Sequence, residues 1–191
     1  PVEHVMSLRL IPNIYVYRPA DANETAAIWR SAMTQDKPSV LIFTRQNLPV
    51  LTGDHVRPGA ARGGYVLGDC EGTPEVILLA SGSEVHIAYE AYQRLIRDGV
   101  KARVVSLPCW ELFEEQPAEY KETVLPSSVT ARVSIEAGVT LGWERYVGSK
   151  GISIGVDRFG ASAPYQRIYE EYGLTPEAVI EAARKVMGQT A

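Results

Sequence analysis

The stretch from Ser39 to Leu51, "SVLIFTRQNLPVL", begins as an apolar, β-branched run and turns abruptly polar at Thr44, Arg45, Gln46 and Asn47. A run without alternation, here Val40, Leu41, Ile42 and Phe43, suits a parallel strand covered on both faces by helices. In open α/β sheets ligands collect just beyond the carboxyl ends of such strands. Arg45 therefore falls where a ligand is expected. Its planar, permanently charged fork of donors suits a phosphate or carboxylate. Position alone leaves open a structural ion pair with a carboxylate from a neighbouring loop.

Working outward, strands and helices alternate almost throughout. "VEHVMSLRLI" reads as a short helix stopped by Pro12, and "IYVY" as a strand. "DANETAAIWRSAM" reads as a helix with Asp21 as N-cap and Glu24 three residues on, a variant of the capping box. Residues 45–64 hold Pro49, Gly53, Pro58, Gly59, Gly63 and Gly64 with no helical or strand period, so 48–64 reads as a linker. Beyond it "EVILLA", "ARVVSL", "ARVSIEA" and "GISIGV" read as strands. Ser81 with Glu84 forms a second capping box before "EVHIAYEAYQRLIRDG", where Val85, Ala88, Tyr89, Tyr92, Leu95 and Ile96 share a face and Gly99 ends the helix. "ELFEEQ", "AEYKETVL" and "APYQRIYEEYG" read as short helices, and a last helix has Thr175 as N-cap and Pro176 at its first position.

Residues 65–191 thus predict an α/β domain with a doubly wound, mostly parallel sheet of about five strands and helices on both faces. Residues 1–47 supply only two strands, which need neighbours in a parallel sheet. With Pro1 and not Met as first residue, the expectation is an incomplete α/β piece whose amino-terminal remainder is missing or comes from another chain.

Apolar residues make up 46% and charged residues 22%, ordinary soluble-globular values, and the net charge of −4 gives no general attraction to nucleic acid or an acidic membrane surface. Neither partner is expected. Cys70 and Cys109 lie far apart without CxxC or Cys/His spacing, which points to a reducing cytoplasm and away from a disulfide scaffold or zinc site.

Other chemistry-bearing residues have plainer readings beside the sharp ones. Glu136 closes "RVSIEA" at a strand's carboxyl end, as a catalytic acid or base or as a buried carboxylate capping the "GVTLGWE" segment. Asp157 and Arg158 read as a loop held by a local ion pair and Gly160. "GISIG" matches G-x-S-x-G, but the strand continues past Ser153, where a nucleophile elbow would end. "NET" at Asn23 matches a glycosylation triplet only by accident, because it lies in a helix. His4, His55 and His86 lack metal-ligand spacing or a nucleophile partner. Glu114 with Glu115, and Glu170 with Glu171, read as solvated helix faces. No glycine pattern opens a helix as a phosphate loop would.

Longer words of sequence go further. "PVEHVMSLRLIPNIYVYRPADANET", "TRQNLPVL", "GGYVL", "LLASGSEVHIA", "ARVVSLPCWELFEEQP", "GVDRFGASAP" and "YGLTPEAVIEAARKV" closely resemble, in order, the carboxyl-terminal portion of bacterial-type transketolases. Deoxyxylulose-phosphate synthases and the β-subunits of 2-oxo-acid dehydrogenases share the layout, but "RPADANE" and "TRQN" favour transketolase. The resemblance implies that 1–47 is part of a pyrimidine-binding domain, 48–64 a linker and 65–191 the carboxyl-terminal domain. It implies a parent that transfers two-carbon ketol units between sugar phosphates, as a homodimer, using thiamine diphosphate with a divalent metal, Mg or Ca. Arg45 matches the arginine of the family's S/T-R-Q-N motif, which helps bind the substrate phosphate. The family's metal motif, its cofactor-activating glutamate and its active-site histidines have no match here. The chain alone is therefore expected to bind no cofactor and to be inactive. A stand-alone regulatory or assembly module, or one chain of a split thiamine-diphosphate enzyme, is the alternative.

Overall fold

Residues 2–51, 53 and 56–188 are described by the structure, a computed structural model. After a short helix α1 (His4–Arg9), β1 (Tyr15–Tyr17) and β2 (Ser39–Leu41) pair in parallel with Tyr15 opposite Ser39, and α2 (Ala22–Thr34) connects them. Asp21 caps α2 as its sequence predicts, accepting from the Glu24 amide at 3.0 Å. The reciprocal half of the capping box is replaced. Glu24 turns into the core and accepts from the Ala20 amide and from the Tyr65 and Ser106 hydroxyls.

The two strands differ in depth. Tyr15, Val16 and Tyr17 are buried, whereas Val40, Leu41 and Ile42 are half-buried and Phe43 is 48% exposed, stacked on the half-exposed Trp29. Cover on both faces, expected from the unbroken apolar run, is thus not what these residues have. Among the described residues β2 pairs with β1, and the contact on Phe43 is the Trp29 ring of α2, itself half-exposed.

The linker stretch, read as lacking regular structure, contains a helical turn, α3 (Arg57–Ala60), that buries Ala60. It leads into β3 (Tyr65–Gly68), too short and too flanked by glycines to stand out in the sequence. β3 forms the antiparallel edge of a second sheet in the order β3-β5-β4-β6-β7, where β4 (Val76–Ala80), β5 (Ala102–Ser106), β6 (Arg132–Ile135) and β7 (Ile152–Ile154) run parallel. This is the doubly wound, mostly parallel sheet of five strands that the sequence predicts.

Its strands are apolar on both faces because both faces are packed. Val76, Leu78, Val104, Val133 and Ile135 share a cluster with Val85, Ala88 and Leu95 of α4 (Val85–Arg97) and Val179 and Ala183 of α9 (Pro176–Val186). Ile77, Leu79 and Val105 share another with residues of α5 (Trp110–Glu114), α6 (Ala118–Val124) and α7 (Glu144–Val147), where Trp110 meets Trp143 and Tyr146 edge-on at 4.7 and 5.0 Å. α8 (Tyr165–Glu171) precedes α9, whose Thr175 cap accepts from the Ala178 amide at 3.2 Å.

The chain leaves β4 toward β5 on one side and returns to β6 on the other, so β4 and β6 flank the switch point of the sheet. A crevice is expected outside their carboxyl ends. Ser81 and Glu136, the residues that follow these strands, lie there.

Candidate functional site

The crevice at the switch point is filled from within the chain. Arg18, which follows β1, donates from Nη1 to Glu136 Oε1 at 2.8 Å and from Nη2 to Glu84 Oε2 at 3.0 Å. Arg9 of α1 adds a two-pronged contact to Glu136 at 2.8 and 2.9 Å, while its guanidinium lies 3.8 Å from the centre of a Trp110 ring. Ser81 and the Trp143 indole N–H complete the shell of Glu136 at 2.5 and 2.9 Å. Burial alone would raise the Glu136 pKa, but the charges of Arg9 and Arg18 outweigh it and hold the carboxyl well below the usual range. A permanently ionised carboxylate with every oxygen occupied cannot shuttle protons at neutral pH. Glu136 is therefore structural, and its clasp is on two arginines and an indole, where the sequence reading had it capping "GVTLGWE".

Arg45 has a different setting. It is exposed, and among the described residues it makes no ion pair or hydrogen bond, so the carboxylate partner that the plainer reading required is not found there. Arg45, Gln46 and Asn47 line a groove of about 760 Å³ together with Ser162, just before α8, and Gln166 in its first turn. None of the side chains lining it is acidic. One unopposed guanidinium among neutral amides and a hydroxyl makes an anion-selective surface.

The remaining candidates separate cleanly. Asp157 and Arg158 do not pair with each other: Asp157 accepts from the Thr140 amide and hydroxyl at 2.9 and 2.7 Å, and Arg158 donates to the Glu171 carbonyl and lies over Tyr172. Each charge is instead satisfied by a partner outside the dipeptide, so no local ion pair forms. Ser153 sits inside β7 and receives the Ser134 hydroxyl at 2.9 Å, consistent with a strand and not an elbow. His86 packs its Nε2 3.1 Å from the Ala20 carbonyl, His4 is exposed, and His55 lies outside the described residues. Cys70 and Cys109 are both free thiols. No helix among the described residues is long and apolar enough to cross a membrane.

Arg9, Arg18, Ser81, Glu84 and Tyr169 were missed as a constellation. The signal was available for Arg18, which directly follows the strand "YVY". Ser81 and Glu84 were hidden by their match to a capping box. In the structure Gly82–Glu84 is a tight 3-10 turn, Ser81 makes no cap, and both side chains serve the arginine cluster instead.

A parallel pair of strands joined through buried arginines to a five-stranded, mostly parallel sheet defines an α/β protein. Residues 63–175 match the family model described as the transketolase-like TK C-terminal domain, and residues 1–50 that of the transketolase pyrimidine binding domain. A chloroplastic transketolase of Solanum tuberosum is 54% identical over 189 residues, covering 97% of this chain and 25% of the relative. The transketolase structure from Leishmania mexicana superposes with a TM-score of 0.91 at 39% identity, over 98% of this chain and 27% of that one. That of Pichia stipitis in complex with sedoheptulose-7-phosphate gives 0.89 at 41%, with the same coverage. The chain belongs to the transketolase family, and it spans about a quarter of the length of these proteins.

Thiamine diphosphate is the cofactor of this family, and the pyrimidine-binding domain is represented here. The described residues supply no set of ligands for a metal ion: no group of three His, Cys, Asp or Glu among them is placed to hold one, and Glu84 and Glu136 are already saturated. No step of the cofactor's chemistry is therefore assigned to residues of this chain.

Proposed function

We propose that the protein containing this chain transfers a two-carbon ketol unit between sugar phosphates in the pentose phosphate pathway, using thiamine diphosphate and a divalent metal, Mg or Ca. It works as a homodimer in the cytoplasm. Within it Arg45 binds the phosphate of the substrate, and the chain by itself is inactive. The observation that carries the reading is the exposed Arg45 guanidinium, without an ion pair among the described residues, in a groove with no acidic lining. The Pichia stipitis relative, whose complex holds sedoheptulose-7-phosphate, supports a sugar phosphate as the anion. The half-exposed Trp29 and Phe43 beside edge strand β2 support further protein covering that face.

A charge-assisted contact to a phosphate contributes about 1.5 to 3 kcal/mol. In the full-length enzyme Arg45→Ala should raise KM for phosphorylated acceptors about 10- to 100-fold and scarcely change an unphosphorylated acceptor. Equal losses on both would remove Arg45 from the phosphate site.

A further inference from the structure

The two residues flanking Arg45 are tied to each other. The Thr44 hydroxyl donates to Gln46 Oε1, so one side-chain bond bridges the backbone on either side of the arginine. The other end of the same amide, Gln46 Nε2, donates to the Tyr169 hydroxyl at 3.4 Å. Tyr169 comes from α8 and in turn donates to Glu84 Oε1 at 2.6 Å. Glu84 is buried and fixed: its Oε1 also accepts from Ser83, and its Oε2 accepts from Arg18 at 3.0 Å and from the Ala137 amide at 2.9 Å.

This chain of contacts runs from the buried ion cluster to the exposed loop. An arginine side chain is long and loses considerable rotamer entropy when it is held for a ligand. Fixing the backbone on both sides leaves those rotamers free but sets the point from which the side chain reaches, and so removes the loop's share of the ordering cost before the ligand arrives. The Gln46 amide is suited to the task because it presents an acceptor to Thr44 and a donor to Tyr169 at once. Arg45, between them, has no bond of its own and is left directed into the groove.

We propose that Gln46, anchored by Tyr169 on Glu84, is the positioning residue for the Arg45 phosphate contact. This rests on the reading of Arg45 given above. Gln46 lines the same groove, but both ends of its amide are taken up by Thr44 and Tyr169, and in this role it sets where the guanidinium lies.

The test is a double-mutant cycle in the full-length enzyme, with KM and kcat measured on a phosphorylated and an unphosphorylated acceptor. Gln46→Leu should raise KM for the phosphorylated acceptor about 3- to 10-fold, leaving kcat and the unphosphorylated acceptor within about twofold. Tyr169→Phe, which keeps the ring, should move the same KM about 2- to 4-fold and keeps the test alive if Gln46→Leu does not fold. In an Arg45→Ala background both substitutions should have no further effect, because positioning acts through the arginine. Additive effects in that background, or equal losses on both acceptors, would overturn the positioning role while leaving Arg45 in place. Arg45→Ala without a phosphate-selective loss would overturn the phosphate reading, and the positioning role with it.

Discussion

Arg18 and Glu136 leave strands of two different sheets and meet at 2.8 Å, both almost wholly buried. The contact is one edge of a charge-balanced set, in which Arg9 and Arg18 come from the first sheet's side and Glu84 and Glu136 from the second. Taking four charges from water is costly, and mutual pairing offsets that cost in part, the Arg9 Nε being buried without a partner among the described residues. The set therefore acts less as a source of stability than as a key that fits in one relative placement of the two sheets.

Removing one member leaves its partners uncompensated. Glu136→Gln should destabilise the chain by about 3 to 5 kcal/mol, read as a lowered urea midpoint with an unchanged slope. Acid adds a second signature. Because the folded Glu136 pKa is depressed, its stabilisation is present above the unfolded value and lost as pH falls through the folded one. The variant should lose that part of the acid limb below about pH 4.5. A change under about 1 kcal/mol would mean that water or backbone shifts already satisfy the arginines.

Glu24 should give the opposite pH dependence in a separate window. Burial raises its pKa to about 7, against the lowering effect of the Ser106, Ala20 and Tyr65 donors. The folded state then binds more protons than the unfolded state between the ordinary carboxylate value and about pH 7, so stability falls as pH rises across that window. The size is on the order of 3 kcal/mol. His86, its pKa lowered by burial, opposes this near its own ordinary value. Comparison with Glu24→Gln isolates the acid: thermal melts from pH 5 to 8 should show the downward slope in the parent and not in the variant. Parallel curves would show that Glu24 is ionised throughout.

The second sheet was largely legible in sequence because its strands are short apolar runs bounded by glycine and cap residues, and its helices carry a clear apolar face. Of the face read for α4, Val85, Ala88 and Leu95 are buried and Tyr89 and Tyr92 half-buried, whereas Ile96 is exposed and Ala91, not read onto it, is buried. β3 was not legible: its four residues pair antiparallel, and their strand character comes from β5 beside them. At the site, Arg45 could be placed beyond a strand's carboxyl end because that is a local property, although β2 stops at Leu41, four residues before it and short of the "SVLIFT" run. The partners of Glu136 lie 55 to 127 residues away in the chain for Ser81, Arg18 and Arg9, and no local pattern encodes such meetings.

Gly82 holds the turn that brings Ser81 and Glu84 to the cluster. Its φ is +62°, and a Cβ there would lie 2.9 to 3.1 Å from the Arg18 guanidinium atoms. Gly82→Ala should therefore combine backbone strain with displacement of a buried ion pair and cost about 1 to 3 kcal/mol. Gly99, also at positive φ but with open space around its Cβ position, should show the backbone part alone, about 1 kcal/mol. Equal losses at the two positions in denaturant melts would show that Arg18 yields to the methyl group at no cost.

Thr175 and Ser81 look alike in sequence, each a hydroxyl residue before an amphipathic helix, yet the structure gives them different work. Thr175 accepts from the Ala178 amide, so Thr175→Ala should cost about 1 kcal/mol and speed hydrogen exchange in the first turn of α9. The Ser81 hydroxyl instead donates to Glu136 Oε1 and makes no cap. Ser81→Ala should cost about 1 to 3 kcal/mol through the buried carboxylate that loses a donor. Its mark in hydrogen exchange should lie at the Glu136 end of β6 and along β1, with the first turn of α4 unchanged. Fraying of α4 without change at β6 would instead assign Ser81 to the helix it precedes.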